Sequence, residues 1–367
     1  MTKPRIGVAI SGGGSRATAF GLGCLRALHD TGLLPDVSVI SGISGGSLLA
    51  ALYAYGPDDF ADFDHTTTSL LRSGLQGALI RRALTPSAAA RNLVAAGRVI
   101  LPRWPGGQPR LRTANRTDAL RDELAHRVFG DRVLGQVTHS GLATVITATD
   151  LRTGNAVRFG SRNSSCSAYG IIAEPVTVAE AVAASAAFPL LLPAMERTYT
   201  FTRPGAEAPS QQVLLLTDGG IYDNLGLSVL EPGRSAGHTA HVYDVDYIIA
   251  CDAGRGKLPP VAGHFAGTRL RRSFDIVHRR AQDAARAGLH TAAATGHLQG
   301  VVHAYLGMPD ERVPIPMADL VPVAAVRHYP TDFKAMTAAD MQLIATRGEQ
   351  LTRVLLAHYC PDLSLNP

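Results

Sequence analysis

The chain opens with apolar runs that are broken by glycine rather than by charge. Residues 5–10 read RIGVAI, apolar at successive positions, as a strand buried on both faces requires. Residues 11–14 (SGGG) interrupt that run before a stretch with helical spacing that ends near Gly32, which completes one βα unit. Residues 37–40 give a second short strand, residues 41–46 a turn, and residues 47–55 an apolar helix that must pack on the sheet. Parallel strands joined by right-handed helical crossovers place all their carboxyl ends on one side, so the two glycine-rich loops are expected at the same edge.

Further along, the pattern changes. Residues 65–117 mix prolines, small residues and arginines and predict a helical excursion from the core. Residues 143–149 and 155–159 flank Thr153 and Gly154, which predicts a hairpin. Residues 196–212 are polar, with glycine and proline, and predict a surface insertion, whereas residues 213–217 form a strand that runs straight into Asp218 and Gly219. Residues 247–252 are the last clear strand. Thr337 with Asp340 resembles a capping box, and Met341, Ile344, Gly348, Leu351 and Leu355 then recur at helical spacing up to His358. The expected organisation is one domain over residues 1–367, with the excursion at 65–135 and a helical C-terminal portion from about 255.

Composition narrows the function classes. With 367 residues, 46% hydrophobic and 18% charged, the chain has material for a large α/β core, not for disorder. The net charge of +5 is carried by arginine, since Lys3, Lys257 and Lys334 are the only lysines; guanidinium forks suit phosphate-bearing partners. Cys24, Cys166, Cys251 and Cys360 are far apart and form no CxxC pair, which suggests neither a zinc ribbon nor a disulfide framework. There is no HExxH and no EF-hand loop, so neither metal nor cofactor is expected. The start of the chain lacks the charged and long apolar regions of a secretory signal, and a cytoplasmic location is expected. Residues 37–57 carry no charge from Val37 to Pro57, but their glycines and serines fit strand, turn and helix better than a membrane span.

Three motifs carry chemistry. Gly42-Ile43-Ser44-Gly45-Gly46 is a GxSxG turn between a strand and a helix, where a strained backbone exposes a serine Oγ and the helix N-terminus favours developing negative charge. Gly12, Gly13 and Gly14 can turn successive amides into one concavity, an oxyanion hole if it lies beside Ser44. The same residues also spell GxGxxA with Ala17, a dinucleotide fingerprint. That reading wants an acidic residue at the end of the second strand, where Ser41 and Gly42 stand; Asp36 lies at the wrong end. Finally, Asp218-Gly219-Gly220 follows a strand rich in leucine, which delivers a carboxylate to the active edge; an Asx turn has the same composition.

In this order, the glycine loop, the GxSxG serine and the DGG aspartate resemble the patatin-like phospholipases, with a kinship in Ser11-Gly-Gly-Gly-Ser-Arg16 to the cytosolic phospholipases. Ser185-Ala-Ala-Phe-Pro189 and Tyr222-Asp-Asn-Leu225 extend the resemblance, which reaches from residue 5 to about Asp252. Ser11 stands where the family often has Asp, and Ala17 where it often has Gly. The resemblance implies a three-layer α/β/α fold with a mainly parallel central sheet, here with the arginine-rich excursion added. It also implies a lipid acyl hydrolase of phospholipase A or lysophospholipase type that works by a Ser44/Asp218 dyad. Asp218 would be the base, Gly12, Gly13 and Gly14 the oxyanion hole, and Arg16 a residue near the lipid phosphate. The alternatives are an α/β-hydrolase with a Ser-His-Asp triad, a dinucleotide-binding oxidoreductase, and a non-catalytic lipid-binding module. A triad enzyme of that fold places several strands before its serine, whereas one strand and one helix precede Ser44.

The expected partners are a lipid or phospholipid and the surface of an anionic membrane, not nucleic acid. Residues 65–117 contain nine arginines and no acid, interleaved with apolar residues and Trp104, a mixture suited to an interface.

Overall fold

The structure, a computed structural model, describes residues 3–77, 116–189, 191–203, 205–206, 208–256 and 265–364. Five parallel strands run in the order β10 (Gly300–Tyr305), β9 (Tyr247–Asp252), β1 (Ile6–Ile10), β2 (Val37–Gly42) and β3 (Ala143–Asp150). Beyond β3 the direction alternates. Strands β4 (Ala156–Gly160), β5 (Ser164–Cys166), β6 (Gly170–Ile172), β7 (Met195–Thr202) and β8 (Ser210–Asp218) pair antiparallel in chain order. β8 then returns to β3, with Ala148 opposite Asp218, and closes these strands into a ring.

This corrects the expectation of a mainly parallel sheet. Only the half that begins the chain is parallel, and β3 belongs to both halves. The expected surface insertion at 196–212 is also overturned, because most of it is the β7–β8 hairpin, paired from Met195 with Leu216 to Phe201 with Ser210. Met195, Tyr199 and Phe201 face the core while Glu196 and Thr202 are exposed, a period of two that the polar composition obscured. The β3–β4 hairpin forms as its pattern predicts, with the Asp150 carboxylate accepting from the Thr153 amide at 3.2 Å and its hydroxyl at 2.8 Å.

Seven helices of eight or more residues lie among the described residues: α1 (Gly14–Asp30), α2 (Gly45–Tyr55), α3 (Phe60–Ser73), α4 (Arg116–Leu124), α5 (Val178–Ser185), α6 (Ala266–Ala294) and α7 (Ala338–Tyr359). Helices α3 and α4 flank the arginine-rich excursion, whose residues 78–115 lie outside the described ones. Alternate residues of each parallel strand face opposite cores. Ile6, Val8 and Ile10 join the helix-side core with α1, α2 and α7, and Ala9 joins a smaller core with Leu225, Leu227 and Leu289 of α6. Helix α7 lies directly on α1: a Cβ on Gly23 would collide with the Ala345 carbonyl, and one on Gly348 with the Phe20 carbonyl. Thr337 caps α7 by accepting the Asp340 amide at 3.0 Å.

Candidate active site

Ser44 stands between β2 and α2 with φ 52° and ψ −119°, and among the described residues it is the only non-glycine with positive φ. Such a backbone costs about 1–3 kcal/mol and persists only where the surroundings over-determine it. They do so here. The Ile43 amide donates to the Ile10 carbonyl at 3.1 Å, and Cβ atoms on Gly45 or Gly46 would collide with the backbone of the glycine loop, so the two loops pack backbone to backbone. The Ser44 amide donates to Ser185 Oγ at 2.9 Å, and Ser185 Oγ donates in turn to the Thr147 carbonyl of β3 at 2.7 Å. Ser185 ends α5 and had no role assigned from sequence; its place beside the serine is visible only when the ring is assembled.

Asp218 ends β8, only 3% exposed. Its Oδ1 accepts the Gly220 amide at 2.7 Å, while Oδ2 is buried without a hydrogen-bond partner among the described residues. Burial pushes its pKa up to about 6, against the Gly220 amide and the Ser44 hydroxyl, which both pull it down. The serine hydroxyl thus bears on the carboxylate although Oδ2 has no bond of full hydrogen-bond geometry among the described residues. A buried carboxyl with an open oxygen and a raised pKa is what a general base requires.

The glycine loop departs from expectation at one residue. The Gly12 amide donates to the Asn224 carbonyl at 2.9 Å, so it is committed to holding the loop against the segment after Asp218. The Asn224 side chain also fills the space beside Gly12 and Gly220. That leaves Gly13 and Gly14, at the start of α1, as the loop amides without such a commitment among the described residues. The next amide, Ser15, donates to the Asp332 carbonyl at 2.8 Å.

Arg16, expected near a lipid phosphate, is buried. Its Nε donates to the Ala253 carbonyl at 3.0 Å and its Nη1 to the Tyr329 carbonyl at 2.7 Å. Burial and the neighbouring Arg255 depress its pKa to about 9, against the opposing pull of Asp252. The unfavourable place of a cation in a first helical turn is offset by these two carbonyls, which makes Arg16 a tie between the glycine loop and residues 253 and 329.

Among the described residues no histidine hydrogen-bonds the Ser44 or Asp218 side chain. His241 is buried 76 positions from its partner Ser165, with Nε2 and Oγ 3.0 Å apart, and burial with Arg158 and Arg234 pushes its pKa down to about 3. His238 is exposed in a turn. His278 of α6 donates through Nε2 to the carbonyl of Gly220, whose amide Asp218 accepts, at 2.9 Å. A further buried carboxylate, Asp252 at the end of β9, was not singled out from sequence. Burial alone would raise its pKa, but His303 at 3.1 Å and Arg286 at 2.7 Å hold it down to about 2, so it is a permanently charged partner rather than a base. Asp36 forms a surface pair with Lys3 at 3.1 Å, at the amino end of β2, away from the glycine loop.

The strained serine, the buried aspartate and the glycine loop lie together in an α/β protein. Residues 8–230 match the family described as patatin-like phospholipase, and the chain belongs to that family of lipid acyl hydrolases. A patatin-like phospholipase domain-containing protein of Caenorhabditis elegans is 44% identical over 59 residues, 16% of this chain and 4% of that protein. The structure resembles human GIVD cytosolic phospholipase A2, with TM-score 0.54 and 14% identity over 97% of this chain and 61% of that one. The same human enzyme in complex with methyl gamma-linolenyl fluorophosphonate gives TM-score 0.53 at 13% identity, over 96% of this chain and 58% of that one. The chain thus spans about three fifths of that human enzyme's structure and a small part of the nematode protein. No helix among the described residues is long and apolar enough to cross a membrane.

Proposed function

We propose that the protein hydrolyses acyl esters of lipids, of phospholipase A or lysophospholipase type, through a Ser44/Asp218 dyad. The observation that carries this reading is the pairing of a strained serine at a helix N-terminus with a buried aspartate whose Oδ2 has no other partner. Ser44 Oγ attacks the ester carbonyl and Asp218 takes its proton. The tetrahedral oxyanion is stabilised by the Gly13 and Gly14 amides, and collapse expels the alcohol as Asp218 returns the proton to it. Water then cleaves the acyl-enzyme, again with Asp218 as base. Two bonds made and two broken leave Ser44 restored. A carboxylate is a weak base for an alcohol, so charge stabilisation by the loop amides and the α2 N-terminus supplies much of the rate.

The substrate is presented at a membrane surface, and the basic excursion supplies the attraction to anionic lipid; the same single domain carries both. The absence of a histidine in contact with the dyad favours this reading over a triad. The test is labelling by a fluorophosphonate, together with hydrolysis of a phospholipid and a lysophospholipid. Labelling should map to Ser44 and disappear in Ser44→Ala. Labelling at another residue, or none with a folded protein, rejects the proposal.

A further inference from the structure

On the sheet face opposite α1, a cleft of about 910 Å³ opens between α6 and residues 220–234. This is at the upper end of the size range of small-molecule sites. Its floor is apolar: Leu225, Leu227, Ile248 and Leu289, with Ala285 and Ala292 of α6 alongside. Gly220 and Asn224 line it where it borders the proposed active site, but neither Ser44, Asp218 nor the glycine loop does.

One wall holds a cation with capacity to spare. Arg158 on β4 is 7% exposed, and its Nε is buried without a hydrogen-bond partner among the described residues. Its Nη2 reaches Ser228 Oγ at 3.3 Å, and the guanidinium lies 5.9 Å from the ring centroid of Tyr222. Among the described residues no ion pair or carboxylate hydrogen bond reaches it. Asp223 spends its carboxylate on the amides of Leu225 and Gly226, both at 3.0 Å, and of Ser228 at 2.8 Å. Glu231 is exposed and acts on Arg158 and Arg234 only through space, without a hydrogen bond to either among the described residues. Arg234 is occupied by the His241 and Ser228 carbonyls and the Thr239 hydroxyl. A desolvated guanidinium donor left open is costly, and a compact anion arriving along the apolar floor would relieve that cost.

We propose that the cleft is a second ligand site, which takes a single-chain amphiphile with a compact anionic head. The carboxylate or phosphate meets Arg158, and the chain lies over Leu225, Leu227, Ile248 and Leu289. Binding requires no turnover; the proposed reaction would simply release one such ligand, a fatty acid.

Isothermal titration of the Ser44→Ala protein with dodecanoate, dodecyl phosphate and dodecanol, each below its micellar concentration, tests this. One equivalent of either anion should bind about tenfold more tightly than the alcohol, the scale of one charge-assisted hydrogen bond. The two anions together show whether carboxylate or phosphate is preferred. Arg158→Gln should erase the preference for the anion. Gly288→Trp should block all three ligands while circular dichroism stays native, because a Cβ at Gly288 of α6, which lines the cleft, meets no atom within 4 Å. Equal binding of alcohol and anions, a preference that survives Arg158→Gln, or binding unaffected by Gly288→Trp overturns the proposal. Fluorophosphonate labelling of Ser44 in the unmutated protein is read separately, so either proposal can fail alone.

Discussion

The parallel half of the sheet and the antiparallel ring each contribute one member of the proposed dyad, and they hold it by different means. Ser44 leaves a fully buried parallel strand and is fixed by backbone: a strained φ, two interlocked glycine loops and the start of α2. Asp218 leaves a ring strand and is fixed by burial and one amide, with a carboxyl oxygen left open. The halves meet at β3. There Ala148 pairs with Asp218, and the Thr147 carbonyl accepts the Ser185 hydroxyl that receives the Ser44 amide. The parallel half therefore imposes geometry on Ser44, and the ring imposes a proton affinity on Asp218.

Mutations can break the two arrangements separately. The largest effect is expected from the dyad itself: Ser44→Ala or Asp218→Asn should lower ester turnover by roughly 10⁴-fold or more while circular dichroism stays native. Gly13→Val strikes the oxyanion loop, where a side chain would crowd Ala17 and Arg16, and should cost roughly 10²–10³-fold in kcat. Ser185→Ala severs the link between the halves. It should lower kcat by about tenfold with little change in KM, and destabilise the fold by about 1–3 kcal/mol in denaturant titration, since the Ser44 amide and Thr147 carbonyl lose their partner.

The ring's contribution is sharpened by pH. Asp218 must be ionised to act, so kcat/KM should rise with pH to half its plateau near 6. Stability runs the other way. Because the folded pKa is raised from 3.8 to about 6, the stabilisation belongs to the protonated form, is complete below 3.8 and is lost as pH rises through 6. Asp218→Asn, which mimics the neutral acid, should therefore melt above the wild type at pH 7.5 and lose that advantage by pH 4. The smallest effect is expected for His278→Ala, a change in kcat within about threefold, because this residue bonds the Gly220 carbonyl and not the dyad. A loss as large as that of Asp218→Asn would favour a triad.

The two halves were also unequally legible from sequence. Residues 5–10, 37–40 and 247–252 are apolar on both faces, so their strands stand out without knowledge of their neighbours. The glycine loop and Ser44 follow the first two of these strands, and Asp218 ends the leucine-rich stretch of β8, so the motifs are readable from local sequence. Ring strands such as β5 and β6 have three residues each, and β7 is exposed at alternate positions, so composition alone reads them as loop. Ser185 and Asn224 escaped assignment because their partners are distant in sequence. The commitment of the Gly12 amide to Asn224, and the burial of Arg16 under residues 253 and 329, follow from closure of the whole sheet and leave no local signature.

The order in which the chain is made gives the glycine loop another meaning. Ser15 is tied to Asp332, Arg16 to Tyr329, and Gly23 packs on Ala345, contacts that span more than three hundred positions. A nascent chain that has left the ribosome only as far as residue 320 already contains Ser44 and Asp218, yet lacks the carbonyls and the helix that fix the loop beside them. The surroundings of Ser44 are therefore completed only once residues 329–345 have emerged, and a chain halted short of that point carries the motifs without a formed site.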